Sequence, residues 1–495
     1  MHREKTQRTS LFSDRTEGER EHMELMIPLD VQSRKPLYEQ IYQFIKEEIR
    51  CGNIKPMRQL PSTRELAESL RVSRSTTQLA YEQLVSEGYL EAVPRKGYFA
   101  AGLEGLLPPV REQNGSCGRT ESRKEQERIP FLVDFSPRGI DLSGFPFSTW
   151  RKISRAALRE EEKELFLKGD PQGDLVLREA LRDYLHAARG VLCRPEQIVV
   201  GAGSEYLLML LSQLLGTGTG IAMENPTYKQ AYRVLTGMGH PVFPVDMDKS
   251  GLKASELSGL PVSAAYIMPS HQYPMGVVMP VKRRQELLSW AAARGDRYLI
   301  EDDYDSEFRY KGKPIPALQG MDRAGCVIYM GTFSKSIAPA IRIGYLVLPE
   351  RLLEKYRKQA WFYSSTVSRV DQKILGQFLT GGYFERHLNR MREIYKGKHD
   401  TLLAALKPLD GMFEIRGEYA GLHVLLTCRD GRSEEELKEA ASRAGVGIYG
   451  LSGFYIQKKP ESGRSTVLLG YASLGEEEIR TGAKLLIRAW KEECK

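Results

Sequence analysis

The sequence predicts a multidomain chain, with a small N-terminal domain of helices and a hairpin ahead of a large C-terminal α/β domain. Three observations carry this expectation. From residue 131 onward, strand-like apolar runs such as QIVVGAGS, AAYIMPS, RYLIEDD, VIYMGTF and GYLVLP alternate with helical segments. That alternation is the pattern of a parallel sheet covered by helices on both faces. Residues 36–104 show short helical periods and one hairpin instead. Between them, residues 105–130 mix Pro, Gly, Ser and charge without a period and read as a flexible linker. The length agrees, because 495 residues exceed what one core organises.

Composition narrows the class. No run of eighteen apolar residues is present, so neither a transmembrane helix nor a membrane partner is expected. Residues 1–35 form a charged tail, expected to be disordered, with no apolar h-region of a secretory signal. Met1, Met23 and Met26 are alternative starts. Six cysteines (Cys51, Cys117, Cys193, Cys326, Cys428, Cys494) are scattered without a CxxC pair. Metal-ligand spacing is therefore absent, disulfides are not expected, and the expected location is cytoplasmic. A net charge of +8 permits polyanion binding and is equally an ordinary surface property.

In the N-terminal domain, LPSTRELAESL opens a helix at Pro61 and Ser62, where Ser62 caps and Glu65 completes a capping box. Leu66 and Leu70 lie on one side of it. A short break at Arg71 and Val72 follows. Ser73 then caps a second helix running to about Glu87, with Ala80, Leu84 and Val85 as its buried stripe. Its first turns offer Arg74, Ser75, Thr76 and Thr77 as exposed groups. Two helices, a tight turn and a polar, basic start to the second helix make a helix-turn-helix, whose second helix presents its N-terminus to the major groove. GYLEAVPRKGYFA then reads as a hairpin with Pro94, Arg95, Lys96 and Gly97 at its tip, a basic wing for phosphates or the minor groove. A generic helical bundle with a hairpin is the plainer alternative. Charge over residues 36–104 is nearly balanced, so the basic groups must gather on one face.

In the C-terminal domain the question is VIYMGTFSKSIAPAIRIGYLVLP, where Lys335 stands at a strand end with Thr332 and Ser334 beside it and Arg342 seven residues on. A surface lysine is the bland reading. The surroundings argue otherwise. IEDDYD ends a strand in acids. VVGAGSEYLLMLL is a strand, a Gly-Ser turn and a helix whose N-terminus can hold a phosphate. ENPTYKQAY sets Tyr228 just after another strand end. A lysine, a carboxylate, an aromatic ring and a phosphate cup at strand carboxyl ends fit pyridoxal 5'-phosphate. The lysine forms a Schiff base with its aldehyde. The carboxylate pairs with its ring nitrogen, and the aromatic side chain stacks on the ring.

LPSTRELAESLRVSRSTTQLAYEQLVSEGYL resembles the winged helix of the GntR superfamily, and residues 131–495 resemble fold-type I aminotransferases. Together the chain from residue 36 resembles a MocR-type regulator. That resemblance implies an N-terminal α+β winged helix-turn-helix and a C-terminal PLP-dependent transferase fold of type I. In it, Lys335 matches the Schiff-base lysine and Asp302 the partner of the ring nitrogen. Tyr304 matches the tyrosine near the phenolic oxygen, and Tyr228 the stacking aromatic. Ala202, Gly203 and Ser204 match the phosphate cup, with Thr332 and Arg342 as further ligands. DNA contacts fall to Arg64, Ser73, Arg74, Thr76, Thr77, Arg95, Lys96 and Gly97.

The departures matter too. Tyr273 replaces the asparagine of the PSHQYPMG loop, with His271 or Gln272 as substitutes. Lys168 replaces a tyrosine that a partner subunit brings to the phosphate. Gln230 and Leu468 stand where relatives grip an amino-acid carboxylate with arginine, leaving Arg464, Arg390 and Arg392 as alternatives. The expectation is a homodimeric, head-to-tail, PLP-dependent regulator of a double-stranded DNA operator, with a small amine or amino acid as an open second effector. A genuine aminotransferase with a DNA-binding appendage is the alternative.

Overall fold

The computed structural model describes residues 25–30, 33, 35–102, 131–310, 312, 314–417, 420–457 and 464–492, which fall into two compact units, before and after residues 127–128. The expected linker, residues 105–130, lies outside the described residues, as does most of residues 1–35.

In the first unit, α1 (Leu37–Arg50), α2 (Thr63–Leu70) and α3 (Arg74–Ser86) precede β1 (Leu90–Val93) and β2 (Gly97–Ala100), which pair antiparallel. The helix α1 was not separated in the sequence. Its Ile41, Ile45 and Ile49 repeat every four residues and meet Leu66, Ala80, Tyr81, Leu84 and Leu90 in one core. The Ser62–Glu65 capping box forms as expected. The break between α2 and α3 is made by Arg71 in the left-handed region, φ 54°. Part of the expected tail is built into this core: Leu25 and Ile27 are buried in it. Gln40 ties that segment down, accepting from Asp30 N at 2.9 Å and donating to Asp30 O at 3.0 Å.

The second unit holds an eight-stranded sheet. After β3 (Val133–Asp134) come β4 (Ile198–Gly201), β5 (Ile221–Asn225), β6 (Val242–Asp248), β7 (Gly251–Leu252) and β8 (Ala264–Ile267), then β9 (Tyr298–Asp303), β10 (Val327–Thr332) and β11 (Gly344–Val347). The spatial order is β4-β11-β10-β9-β8-β5-β6-β7. The strands β10, β9, β8, β5 and β6 are mutually parallel, while β11 and β7 run against their neighbours. The sheet is thus mixed, not wholly parallel as expected, and the GYLVLP run is one of the reversed strands. Helices cover both faces, as the near-continuous apolar runs require. Ile328 and Met330 pack with Leu207, Leu211 and Leu353 on one side, and Tyr329 packs with Leu181 and Leu185 on the other. Because β4 and β10 both run antiparallel to β11, the carboxyl ends of β4, β5, β8, β9 and β10 share one edge.

A second, smaller sheet was not anticipated. It joins β12 (Phe413–Arg416), β13 (His423–Cys428), β15 (Tyr449–Gly450) and β16 (Thr466–Gly470), all antiparallel, while β14 (Val446–Gly447) pairs with β3. The helices Glu434–Arg443 and Glu476–Glu492 pack on it around Phe413, Leu437, Tyr471 and Trp490.

Candidate nucleic-acid interface and cofactor site

In the first unit, α3 begins at the exposed Arg74 and has no acidic residue in its first turn. Its positive dipole end and that arginine therefore reinforce each other. Ser73 caps it by accepting from Thr76 N at 3.2 Å and lies 2.7 Å from Thr76 Oγ1. Arg64 is exposed one helix earlier and pairs with Glu68 at 3.2 Å. At the wing tip Arg95 adopts φ 62° and Gly97 φ 103°, leaving Arg95 and Lys96 exposed. Gln59 Nε2 donates to Lys96 O at 2.6 Å and fastens the wing to the body of the domain. Thr77 is a correction. It is wholly buried, and its Oγ1 donates to Thr63 O at 2.7 Å and Arg74 O at 3.0 Å. It joins α3 to α2 and is not exposed to DNA.

In the second unit, the carboxyl edge of the large sheet gathers the other candidates. Lys335 follows β10, and its Nζ donates to the carbonyls of Pro137, Arg138 and Gly139 at 3.2, 2.9 and 3.4 Å. Burial pushes the Lys335 amine down to about 8, with Asp305 opposing the fall and the Arg138 charge adding to it. Asp302, in register with Met330 of β10, is buried and accepts a hydrogen bond from Tyr266 OH. Burial lifts its carboxyl to about 7 against that hydrogen bond, and Asp303 and Asp305 add to the rise.

Tyr304 OH lies 3.1 Å from His271 Nδ1, which lies 2.9 Å from Asp305 Oδ2. Tyr228 and Tyr273 meet edge to face at 6.1 Å, and Tyr273 also touches Tyr304, His423 and Phe454. Burial raises the Tyr228 phenol to about 12.

At the end of β4, Gly203 takes φ 86° and starts the helix Ser204–Leu215. That φ favours glycine, and a Cβ there would stand 2.5 Å from Arg342 Nη2 and push the guanidinium aside. Arg342 Nη2 donates to Ala202 O at 3.2 Å and to Glu205 Oε2 at 2.6 Å. Ala202 N donates to Thr366 Oγ1 at 3.0 Å, and Thr332 Oγ1 lies 2.9 Å from Ser334 Oγ.

Sequence reasoning missed Arg138 and Tyr266, which reach the site from other segments, and Asp305 and Glu205, which adjoin Tyr304 and Ser204 but were given no role. Of the alternatives for a carboxylate grip, Arg392 is spent on Glu307 O at 2.7 Å and Asn389 Oδ1 at 2.6 Å. Arg390 is exposed on the helix Tyr383–Leu406, and the charge of Arg464 acts on Glu414 of β12. Leu468 is fully buried among Leu425, Leu451, Met275 and Phe454.

Two family models match. Bacterial regulatory proteins of the gntR family cover residues 37–99, and aminotransferase class I and II covers residues 141–481. The uncharacterized HTH-type transcriptional regulator YhdI of Bacillus subtilis is 40% identical, spanning 93% of this chain and 97% of its own. The probable rhizopine catabolism regulatory protein MocR of Rhizobium meliloti is 32% identical, spanning 94% of this chain and 96% of its own.

The chain belongs to the MocR-type regulators of the GntR family.

A further relative, the HTH-type pyridoxine biosynthesis transcriptional regulator PdxR of Corynebacterium glutamicum, is 32% identical over 92% of this chain and 96% of its own. The second unit is similar to an archaeal alanine:glyoxylate aminotransferase structure, with a TM-score of 0.66 and 28% identity over 73% of this chain and 91% of that one. This MocR-type protein is a DNA-binding transcriptional regulator with an aminotransferase-like domain of fold type I. Among its described residues no helix is long and apolar enough to cross a membrane, and no group of three or more His, Cys, Asp or Glu is placed to hold a metal ion.

Proposed function

We propose that this regulator binds pyridoxal 5'-phosphate at the carboxyl edge of its large sheet, and that occupancy of this site sets the affinity of its winged helix for operator DNA. The observation that carries the reading is Asp302. It is a buried carboxyl with a hydroxyl partner, Tyr266, and no ion pair among the described residues. A buried carboxylate is costly without a cation, and a protonated pyridine nitrogen supplies one.

The other residues fit the same group. Lys335 offers an amine whose lowered pKa leaves a sizeable neutral, nucleophilic fraction near pH 8. Tyr228 flanks the place of the ring. Tyr304, held protonated by burial and by Asp305, can donate to a phenolic oxygen. Ala202, Gly203, Ser204, Thr332 and Arg342 form the phosphate end, where helix N–H groups and a guanidinium favour an anion. When bound, the cofactor supplies an aldehyde for amines and an electron-withdrawing ring.

In this reading Arg64, Ser73, Arg74, Thr76, Arg95, Lys96 and Gly97 face a double-stranded operator in the cytoplasm. The protein works as a head-to-tail homodimer. The cofactor acts by binding two states of that dimer unequally. A relative named for pyridoxine biosynthesis supports a vitamer as the signal.

The aminotransferase reading has the enzyme relatives in its favour. Against it stands Leu468, buried in an apolar cluster, which offers a substrate carboxylate no cation where relatives place an arginine. The test is spectroscopic. Protein mixed with the cofactor should absorb in the visible region, and borohydride should fix the label on the Lys335 peptide. Colour that persists in Lys335→Ala, with another lysine labelled, contradicts the assignment.

A further inference from the structure

We infer that Glu205 is a built-in competitor for the phosphate cup, weakening the hold on phosphate-bearing ligands so that occupancy follows their concentration. The inference rests on the reading that this edge binds pyridoxal 5'-phosphate.

The cup has two positive features: the N-terminus of the helix Ser204–Leu215, and Arg342. Glu205 engages both. It is the second residue of that helix, in the first turn, where a carboxylate is favourably placed against the dipole. Its Oε2 also accepts from Arg342 Nη2 at 2.6 Å. The same Nη2 reaches Ala202 O at 3.2 Å, across the glycine turn that forms the cup. The donor best placed for a phosphate oxygen is therefore already taken by a carboxylate from the same chain. Burial alone would raise the pKa of Glu205, but the Arg342 hydrogen bond and the backbone outweigh it and hold the group below its ordinary value. At neutral pH it is an anion. An arriving phosphate dianion must share Arg342 with that anion, at the cost of like-charge repulsion, or displace it, at the cost of the Arg342–Glu205 pair.

Neither partner is locked in place. The Arg342 and Glu205 side chains are 48% and 34% exposed, so the carboxylate can swing out when phosphate enters. A glutamine here would keep the size and an acceptor oxygen while removing the charge. A lysine-bound cofactor held without such an opponent would stay on as a permanent group. One held against it can leave as its concentration falls, which is what a sensor needs.

The experiment titrates full-length protein, freed of cofactor, with pyridoxal 5'-phosphate and with pyridoxal, which lacks the phosphate. Wild type, Glu205→Gln and Glu205→Ala are compared. Glu205→Gln should bind pyridoxal 5'-phosphate about tenfold more tightly or better, with pyridoxal affinity unmoved. Inorganic phosphate alone should protect Glu205→Gln from thermal unfolding at roughly tenfold lower concentration than wild type. Glu205→Ala should shift in the same direction. If both variants bind the phosphate ligand no more tightly than wild type, Glu205 serves to orient Arg342 and the inference is overturned. An equal gain for pyridoxal would overturn it too, because the effect would not concern phosphate. Should wild type fail to bind pyridoxal 5'-phosphate through Lys335, the functional reading falls, and the inorganic phosphate arm still decides the role of Glu205.

Discussion

Asp302→Asn separates the cost of an empty site from the gain of a filled one. Burial lifts the Asp302 carboxyl from 3.8 to about 7. The folded state therefore holds this proton more tightly than the unfolded chain does. For this group stability is greatest below pH 3.8, declines as the pH rises to about 7, and is level above that. In the cofactor-free protein at pH 8 the penalty amounts to about 4 kcal/mol as an upper bound. Asparagine is neutral throughout and keeps an acceptor for Tyr266 OH, but leaves an amide N–H unpaired at about 1–3 kcal/mol. The cofactor-free variant should thus be about 1–3 kcal/mol more stable than wild type at pH 8, and no more stable at pH 5. With saturating cofactor that advantage should largely vanish. The variant lacks the charge-assisted bond to the ring nitrogen, about 1.5–3 kcal/mol or roughly ten- to hundredfold in affinity. Urea unfolding of the full chain at pH 5 and pH 8, with and without cofactor, reads all four quantities. A variant that is destabilised equally at both pH values, or is stabilised by the cofactor as strongly as wild type, refutes the reasoning.

Three further outcomes are expected. Arg74→Ala should weaken operator binding without loss of stability, because Arg74 is exposed: either the salt slope falls by about one or specificity relaxes by about 1–3 kcal/mol at one position. Thr77→Val should do the opposite, removing the bonds to Thr63 O and Arg74 O and costing roughly 1–2 kcal/mol of stability; thermal unfolding and DNA titration side by side distinguish the two. Transamination with a panel of amino acids and keto acids should run far below ~1 s⁻¹, since Leu468 offers a substrate carboxylate no cation; steady turnover at the rate of ordinary enzymes would favour the aminotransferase reading.

Much of the winged helix was legible because its signals are local. Ser62 with Glu65, Ser73 with Thr76, and the hairpin tip each act within four residues. Thr77 was misjudged although the signal was present. Thr77, Ala80, Tyr81 and Leu84 repeat at three and four residues and form the buried stripe of α3. The apolar strands of the large sheet were legible as runs, but an apolar run carries no strand direction, so the reversal of β11 was not. The small sheet escaped because several of its strands are short, two residues in the case of β15, and scattered between helices. Lys335, the acids after the YLI run and the glycine turn were read as strand-end groups, and the structure sets them at one edge of the sheet, while Asp302 and Tyr304 were singled out by resemblance. Their partners were not. Asp305 meets His271 across 34 residues of chain and Glu205 meets Arg342 across 137, and such pairings arise only once the sheet brings the strand ends together.

The most direct test of the account is operator affinity measured by fluorescence anisotropy at fixed salt, with and without pyridoxal 5'-phosphate and with no amino acid present. The account predicts that the cofactor alone changes the affinity of wild type for the DNA upstream of its own gene, and that Lys335→Ala, folded and still binding that DNA, does not respond. An identical cofactor response in Lys335→Ala, or no response in wild type whose Lys335 is fully labelled, would contradict it.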